Sequence, residues 1–498
     1  MKEQEEKFAR LTNSRPLDIH RWSNHQQINA LIDRLVYDIF GLGIYKRQTN
    51  MEKLKKHIKV VVLDLYMAHQ TDPDMYVGYS RRAQDYSGKS RYSKLRISYR
   101  PLLKVVDALR SEELGYIEHH KGFKDRNRGR GYQSRMRATD KLISLFGSYV
   151  VKPCMVSRAN DEEIIILRDE NGKNIEYEET LETVRMRINL SRLNDELENT
   201  LLNLYVPDRR LDEINEILQR DIERNPIDFT RKRLKRIFNN GSFEQGGRFY
   251  YGWWQEIPKE FRKHIHIDSK SVVEIDYSGM QIRMMYAREG LEPPNDPYVI
   301  PAFPVYDRET VKRVLNTMIN AVSRESALRS IRKEVPKHKY TLSLRLTTVE
   351  DLVGVVTEHH RPIKKYFHSG EGIKLQREDS DIAEQVMLEM ANRGVTVLPV
   401  HDSFIVRWNE ERALRDVMHK VFEERVLAIA KMKRNKTTLE ETWEERAASR
   451  NEPVVETLDV KELVRHWKKY ERYSEMQDEF YSVRKWNVVS KDEDDGRE

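Results

Sequence analysis

Two short stretches of this chain each carry an aspartate beside an apolar run, and their spacing suggests shared chemistry. The first runs from Val272 to Asp276, and the second runs from Val395 to Val406 with Asp402 inside it. Such β-branched runs are typical of strands, so both acids are predicted at strand ends or turns. Strands can hold two carboxylates side by side even when 126 residues separate them in the sequence.

A rigidly held pair of carboxylates is suited to binding divalent cations. Two Mg²⁺ ions about 4 Å apart would stabilise both the attacking and the leaving oxygen of an in-line phosphoryl displacement. The backbone carbonyl of Tyr277 could supply a further oxygen ligand, and Mn²⁺ could replace Mg²⁺. A lone aspartate at a strand end is more often a cap or turn residue. The interpretation therefore requires Asp276 and Asp402 to lie together.

Between the two acids lies a predicted helix with two different faces. Four polar residues recur on it at four-residue steps: Arg308, Lys312, Asn316 and Asn320. An apolar set clusters on another side: Val311, Val314, Leu315, Met318 and Val322. Asp307 is predicted to cap the N-terminus of this helix. One face would pack against the protein while the other meets a ligand.

These three stretches resemble motifs A, B and C of the family A (DNA polymerase I-like) nucleic acid polymerases, relatives of the phage and mitochondrial single-subunit RNA polymerases. Asp-Tyr-Ser at 276–278 resembles the DNA polymerase form of motif A, and His-Asp-Ser at 401–403 resembles the RNA polymerase form of motif C. The resemblance covers residues 240–410. It implies an α+β right-hand fold, with an antiparallel palm sheet and helical fingers and thumb.

The resemblance also implies roles for single residues, with Asp276 and Asp402 as the catalytic metal ligands. The implied nucleotide-binding residues are Arg308, Lys312, Asn316, Asn320 and Gln281. The implied primer- or template-binding residues are Arg248, Gln255, Arg283, Gln376 and His401. Gln281 stands where DNA polymerases of this family usually carry a Glu that blocks the 2′-OH. The two asparagines depart from the family, which has larger, mostly aromatic side chains there.

The net charge of the chain is concentrated in one segment. Lys and Arg number 88 against 81 Asp and Glu, a formal charge of +7. Residues 121–137 carry a cluster of cations against Asp125 alone: Lys121, Lys124, Arg126, Arg128, Arg130, Arg135 and Arg137. Such a cluster suits a polyanion such as nucleic acid. A solvated loop is the alternative, because that is the commoner fate of charge runs.

The elements around this cluster follow the order helix, strand, basic loop, strand, helix. Ser98 is predicted to cap the first helix and Thr139 the second. The first helix has an apolar stripe: Leu102, Val105, Val106 and Leu109. This order resembles the second half of a winged helix-turn-helix domain, with residues 98–110 facing a DNA groove and residues 122–132 forming the wing. An ordinary helix and hairpin is the alternative, because the motif is degenerate in sequence.

We predict four regions along the chain. These are a helical, winged-helix-like nucleic-acid-binding domain over 1–150, a helical thumb-like connector over 151–245, a palm with compact fingers over 246–432, and a charged extension with a disordered tail over 433–498. The single Cys154 excludes an internal disulfide and a Cys-based zinc site. Since there is neither a signal-peptide pattern nor an apolar run of membrane-spanning length, we expect a cytoplasmic, nucleoid-associated protein of bacterial or phage type.

The resemblance predicts a template-directed nucleotidyltransferase that extends a primer 3′-OH with nucleoside triphosphates, with DNA synthesis without proofreading as the first choice. Its partners would be a DNA template and primer. One alternative is a DNA-dependent RNA polymerase of the single-subunit type. Another is a non-catalytic winged-helix regulator or replication initiator with a relic palm. Trp253 and Trp254 are equally consistent with core packing and with stacking on bases.

Overall fold

The structure is a computed structural model that describes residues 13–425 except for short gaps at 42–47, 87–89, 94–96, 126–129, 160–161, 223–226, 337 and 339–347. Arg126, Arg128 and the predicted extension over 433–498 therefore lie outside the described residues. The described residues form two compact units. The N-terminal unit comprises 13–163 and 206–231, and the C-terminal unit comprises 164–205 and 232–425. The predicted connector over 151–245 contributes to both.

Both units combine helices with sheets, so the coarse α+β prediction is confirmed. The helices are α1 (Gln26–Phe40), α2 (Gln48–Thr71), α3 (Tyr99–Leu109), α4 (Asp140–Ser148), α5 (Leu181–Asn199), α6 (Asp208–Ile222), α7 (Met280–Arg288), α8 (Arg308–Asn320), α9 (Arg324–Glu334), α10 (Val349–His359), α11 (Gly372–Ala391) and α12, described over 411–425. Within the described ranges, none of the helices is long and apolar enough to cross a lipid bilayer.

The strands are short in both units. They are β1 (Ser14–Pro16), β2 (Arg21–Trp22), β3 (Tyr76–Tyr79), β4 (Ile117–His120), β5 (Phe123–Asp125), β6 (Arg130–Tyr132), β7 (Ser134–Ala138), β8 (Ser157–Arg158), β9 (Ile165–Leu167), β10 (Leu202–Leu204), β11 (Lys235–Asn239), β12 (Ser242–Tyr250), β13 (Ile265–Ile267), β14 (Lys270–Asp276), β15 (Leu398–Val400) and β16 (Ser403–Arg407).

The N-terminal unit packs helices against a four-stranded sheet of order β1-β3-β7-β4. The expected order of helix, strand, basic loop, strand and helix is present as α3, β4, the segment with β5 and β6, β7 and α4, and the predicted loop contains the antiparallel pair β5–β6. The predicted stripe of α3 is buried in the core. Ser98 and Thr139 occupy N-cap positions as predicted, but neither side chain makes a capping hydrogen bond. The Thr139 hydroxyl instead donates to the carbonyls of Gly115 and Tyr116.

The C-terminal unit contains a five-stranded sheet of order β10-β13-β14-β16-β15, in which every neighbouring pair is antiparallel. A second sheet has the order β12-β11-β9. Helix α11 packs along β12 of this second sheet. Arg236 of β11 forms ion pairs with this helix: its guanidinium lies 2.7 Å from an Asp381 oxygen and 3.1 Å from a Glu384 oxygen.

A buried group of charges fastens the N-terminal segment of the first unit. The Asp64 carboxylate of α2 is fully buried and accepts bonds of 2.8 and 2.6 Å from the two Nη atoms of Arg15. It also accepts a bond from Nε of Arg21, which in turn pairs with Asp228. Because one carboxylate pairs with two largely buried guanidinium groups, its loss would remove the ion-pair partner of Arg15 and weaken the neutralisation of Arg21, which keeps Asp228.

We predict that Asp64→Asn lowers the free energy of unfolding by about 3–5 kcal/mol, because an amide cannot neutralise the two guanidinium groups that remain buried. Urea unfolding followed by circular dichroism would measure the loss. Asp33→Asn is the matched control: its side chain is 61% exposed in a surface pair with Lys55, so a change within about 0.5 kcal/mol is expected. A loss at Asp64 no larger than that of the control would contradict the prediction.

Candidate functional site

The antiparallel pairing of β14 with β16 brings the two predicted acids together. Asp276 is the last residue of β14 and pairs with Ser403, the residue that follows Asp402. The backbone N–H of Tyr277 donates to the carbonyl of Asp402 over 3.4 Å. Asp276 and Asp402 therefore lie at the same end of neighbouring strands, as the two stretches of sequence predicted.

The local sequence explains why this end of the sheet is well defined. Phe404, Ile405 and Val406 of β16 are completely buried. By contrast, β14 is only half-buried, less than its β-branched run predicted. His401 has a left-handed backbone, with φ of 60°, in the two-residue turn that joins β15 to β16. Non-glycine residues adopt this conformation at a cost, so the strained turn that sets the direction of Asp402 is a sign of function.

The acid pair is electrostatically strained and lacks protein partners. Neither carboxylate makes a side-chain hydrogen bond or ion pair to another described residue. Water excluded by the surrounding protein and the negative charge of Asp402 together raise the pKa of Asp276 to about 6. Lys259 and Lys312 oppose this increase in pKa, whereas Glu274 adds to it. Two close carboxylates with no neutralising partner favour the binding of a cation.

Helix α8 carries its first two cations, Arg308 and Lys312, close to the Tyr298 ring, and Lys312 also lowers the pKa of Asp276. The Asp307 side chain accepts a bond from the Thr310 N–H, so the capping prediction is confirmed. The Arg308 guanidinium lies 4.9 Å and the Lys312 ammonium 5.8 Å from the centre of the Tyr298 ring. Burial raises the pKa of Tyr298, Arg308 lowers it, and both acids raise it further. The pKa of the buried Tyr298 therefore depends on the charge of Arg308 and on the charges of Asp276 and Asp402.

Arg308 is not free in this structure. Its Nε donates to Oδ2 of Asp296 over 2.7 Å, which keeps part of the guanidinium occupied. Lys312 makes no comparable bond to the described residues. Both groups remain partly exposed and could reorient toward an anion.

The asparagines of α8 line a polar groove between α8 and α9. The groove has a volume of about 670 Å³, and its walls include Lys312, Asn316, Asn320, Ser326 and Ser330. Asn316 and Asn320 are exposed, and the Asn320 amide donates to the Asn316 carbonyl over 2.8 Å. The apolar face of α8 is buried as predicted except at Val322, which lies beyond the helix end and is 77% exposed.

A buried acid that the sequence analysis missed lies beside the pair. Asp379 of α11 is 2% exposed and accepts two bonds from Arg248 of β12, with 3.1 Å from Nε to Oδ1. It also accepts a bond of 3.4 Å from Nε2 of Gln281 in α7. The sequence does contain a signal for this residue, namely an acid at an apolar position of a helix. Asp379 lies one helical turn after Leu375 and one before Ala383, and both of these residues are buried.

A glycine allows Arg248 to reach that acid. Gly247 has φ of 80°, and a Cβ there would lie 2.7 Å from the Phe238 ring and 3.0 Å from the Ser380 hydroxyl. The first distance is shorter than real Cβ contacts and the second is at their lower limit, and the positive φ also disfavours a side chain, so glycine suits this close approach of β12 to α11. The next residue, Arg248, is thereby carried to Asp379.

Several other predicted site residues have defined protein contacts. Gln255 donates to the carbonyls of Phe249 and Pro399 over 3.0 and 2.9 Å, so its amide ties two strands together. Arg283 donates to the carbonyls of Ser278 and Asn295 over 2.9 and 3.1 Å. Their contacts with primer or template stay predictions.

The remaining predicted residues of this unit lie at its surface or on the site's edge. Gln376 is half-buried on α11. The His401 ring lies 5.8 Å from that of Tyr250 in an edge-on arrangement. The Tyr277 hydroxyl donates to the carbonyl of Met418 over 2.6 Å, which fixes this residue on α12 and leaves its proposed metal-ligating carbonyl as a prediction.

The two tryptophans belong to the core. Trp253 and Trp254 are completely buried and meet edge-on, with ring centres 6.2 Å apart. Nε1 of Trp254 donates to the Pro399 carbonyl over 3.0 Å. The alternative of stacking on bases is therefore wrong for this structure, since neither ring reaches the surface.

The predicted basic cluster divides into internal and surface cations. Arg135 is 2% exposed, and its guanidinium lies 5.0 Å from the Phe123 ring and 5.2 Å from the Tyr132 ring. Arg137 pairs with Glu118 over 2.6 Å and also with Asp74. Lys121 and Lys124 are exposed, whereas the side chain of Arg130 lies outside the described set. Arg135 therefore fixes the β5–β6 hairpin to the sheet rather than facing solvent.

Among the described residues, no three or more His, Cys, Asp or Glu side chains form a metal-binding group. Two carboxylates with backbone and substrate oxygens would nevertheless suit Mg²⁺, which usually keeps several waters and takes few protein ligands. No protein-family model and no curated protein sequence matches this chain.

We predict that the pKa of Asp276 falls from about 6 toward its ordinary value of 3.8 in Asp402→Asn, because that change removes the facing negative charge. Titration of ¹³C-labelled aspartate carboxyls by NMR in metal-free buffer would measure it. Asp416→Asn on the exposed side of α12 is the control and should leave the Asp276 titration unchanged. An unchanged or raised pKa of Asp276 in Asp402→Asn would show that the two groups do not interact.

Proposed function

We propose that this protein is a template-directed nucleotidyltransferase that joins the 3′-OH of a primer to the α-phosphate of a nucleoside triphosphate, with DNA as its product. The observation that carries the proposal is the unpartnered pair Asp276 and Asp402 at one end of the β14–β16 ladder, opposite the cations of α8. Acids that exist only for stability are normally paired with cations or hydrogen-bond donors. A pair left without partners is suited to a ligand.

Two Mg²⁺ ions, or Mn²⁺ in their place, would be held by Asp276 and Asp402, with the Tyr277 carbonyl as a further ligand. Bound there, they would supply charge stabilisation for the attacking and leaving oxygens. The raised pKa of Asp276 supports this assignment, because a carboxylate that resists ionisation alone gains most from a nearby cation. Proton release from Asp276 would accompany binding below about pH 6.

The cations of α8 would act on the leaving group. Lys312 already influences the pKa of Asp276, so its ammonium lies within electrostatic range of the reacting centre. Arg308 would exchange its bond with Asp296 for a bidentate contact to phosphate oxygens. Together they would neutralise charge that develops on pyrophosphate. Asn316 and Asn320 in the adjoining groove would then lie near the base of the nucleotide or of its template.

The primer would enter from the side of Arg248 and His401. Arg248 has donors left after its pairing with Asp379, and the turn residue His401 adjoins Asp402. Both would contact the terminal nucleotide. The surface lysines of the β5–β6 hairpin, Lys121 and Lys124, would hold DNA through its phosphates, a mode that weakens steeply with salt.

We predict that primer extension with Mg²⁺ falls by about 10³-fold or more in Asp276→Asn and in Asp402→Asn, because each change removes several kcal/mol of charge stabilisation from the transition state. A labelled primer on a DNA template with deoxynucleoside triphosphates would measure it. Asp416→Asn should extend primer at the wild-type rate. Tight DNA binding by the wild type with no extension under any divalent cation would instead favour the regulator or initiator alternative.

We predict that Lys312→Ala lowers kcat/KM for the nucleoside triphosphate by about 10–100-fold, since it removes one charge-assisted hydrogen bond to phosphate. Steady-state extension over a range of triphosphate concentrations would measure it. Lys333→Ala on the exposed side of α9 is the matched control and should match the wild type. Equal losses in both variants would mean that Lys312 acts only through the general field of the surface.

A further inference from the structure

The acid pair lies within electrostatic range of a cation that does not pair with it. Lys312 of α8 lowers the pKa of Asp276, yet its ammonium forms no ion pair with the acids or with any other residue that the structure describes. An ammonium on a flexible four-carbon stem is normally drawn to nearby carboxylates. Some feature of the fold therefore keeps Lys312 and the acid pair apart.

The Tyr298 side chain lies near both groups of charge. The Arg308 guanidinium and the Lys312 ammonium lie 4.9 and 5.8 Å from the centre of its ring, within the range of a cation–π interaction. The Tyr298 hydroxyl lies 3.6 Å from the position that a Cβ on Gly279 would occupy, just after Asp276 in the chain. The charges of both acids also raise the pKa of Tyr298.

The segment that carries this ring is fastened to helix α7. Tyr298 is 5% exposed, and the preceding Pro297 lies so close to Gly279 that a Cβ there would be 3.0 Å from Cγ of the proline. The Pro297 carbonyl accepts a hydrogen bond of 2.8 Å from Nε2 of the fully buried His360. Because Nε2 then carries the proton, Nδ1 of His360 accepts from the Tyr286 hydroxyl of α7 over 3.1 Å. The ring therefore has a defined position.

The same segment holds one of the two cations through a carboxylate. Asp296 accepts the backbone N–H of Tyr298 at Oδ1 over 2.9 Å and Nε of Arg308 at Oδ2 over 2.7 Å. Lys312 lies beside the ring and has no ion-pair partner among the residues that the structure describes. Lys312 is therefore the cation that would move to the acids if the ring were removed.

We propose that Tyr298 is a positioning residue whose ring separates Lys312 from the acid pair, so that the two acids stay available to divalent cations. The proposal rests on the proposed function, which assigns the metal ions to those acids. Without the ring, the Lys312 ammonium forms an ion pair with the acids, and a metal ion has to displace it in order to bind. With the ring in place, the acids keep their charge for metal ions and Lys312 keeps its charge for phosphate.

Metal binding in the absence of substrate tests the proposal, because it requires no catalysis. Mn²⁺ is titrated into the full chain at a pH above the pKa of Asp276, and the free ion is measured by electron paramagnetic resonance. The proteins are the wild type, Tyr298→Ala, Tyr298→Phe, Lys312→Ala and the double variant Tyr298→Ala with Lys312→Ala. Loss of binding in Asp276→Asn assigns the measured site to the acid pair.

We expect Tyr298→Ala to weaken Mn²⁺ binding by about fivefold or more, because an ion pair then competes with the metal ion. Tyr298→Phe keeps the ring and should stay within about twofold of the wild type. In the Tyr298→Ala background, Lys312→Ala should restore the wild-type affinity to within about twofold, since the competing cation is gone. A loss that came only from damage to the fold would not be repaired by a second substitution.

Should Tyr298→Ala fail to fold, Tyr298→Leu serves in its place. Leucine fills most of the volume but has no aromatic face to hold an ammonium, so Mn²⁺ binding should again weaken and should recover when Lys312→Ala is added. Unchanged binding in this variant contradicts the proposal in the same way as unchanged binding in Tyr298→Ala.

Lys259→Ala in the Tyr298→Ala background is the matched control. Lys259 also lowers the pKa of Asp276, but it is exposed and lies on a different segment, Lys259–His264. Its removal should restore the affinity by less than about twofold, because an exposed, screened charge contributes little. Equal restoration by Lys259→Ala and Lys312→Ala, or an unchanged affinity in Tyr298→Ala, overturns the inference and leaves the proposed function standing. Mn²⁺ binding that is absent from the wild type, or unchanged in Asp276→Asn, overturns both.

Discussion

The site depends on the register of one antiparallel strand pair. Asp276 lies beside Asp402 only because β14 and β16 pair Asp276 with Ser403, and a shift of one residue would turn Asp276 to the opposite face of the sheet. Phe404, Ile405 and Val406 of β16 are completely buried on alternating faces of the sheet, so packing on both faces opposes a shift of this strand. The hydrophobic core of the sheet thus specifies where two charges meet, although neither charge contributes to that core.

The two units arrange their acidic side chains in opposite ways. In the N-terminal unit, Asp64 is enclosed by Arg15 and Arg21, so every charge has a partner and the cluster serves stability. In the C-terminal unit, Asp276 and Asp402 are held close with no such partner, and the pKa of Asp276 rises to about 6. Repulsion of that kind lowers stability and persists where another interaction, such as a bound cation, compensates for it. The contrast distinguishes an acid that is paired with cations from two acids that have no such partner among the described residues.

Sequence periodicity predicted the elements of the site well and its contacts poorly. The strands around Asp276 and Asp402 and the capped helix beginning at Arg308 were all predictable, because each is defined by local pattern. Whether Trp253 stacks on bases or lies in the core depends on which distant residues of the chain cover its ring, and the local sequence does not specify those residues. The pairing of Asp379 on α11 with Arg248 on β12 spans 131 residues, so nothing local could identify it.

A polar residue inside an apolar stripe is nevertheless a usable signal. On α11 the buried positions recur at helical spacing, and Asp379 interrupts them with a carboxylate that apolar packing does not require. Because burying that group is unfavourable, its retention must be offset by what it holds. Here it holds one cation and one amide that both adjoin the unpartnered acids. Buried acids on apolar helix faces therefore indicate where a protein has accepted a cost in stability to orient other side chains.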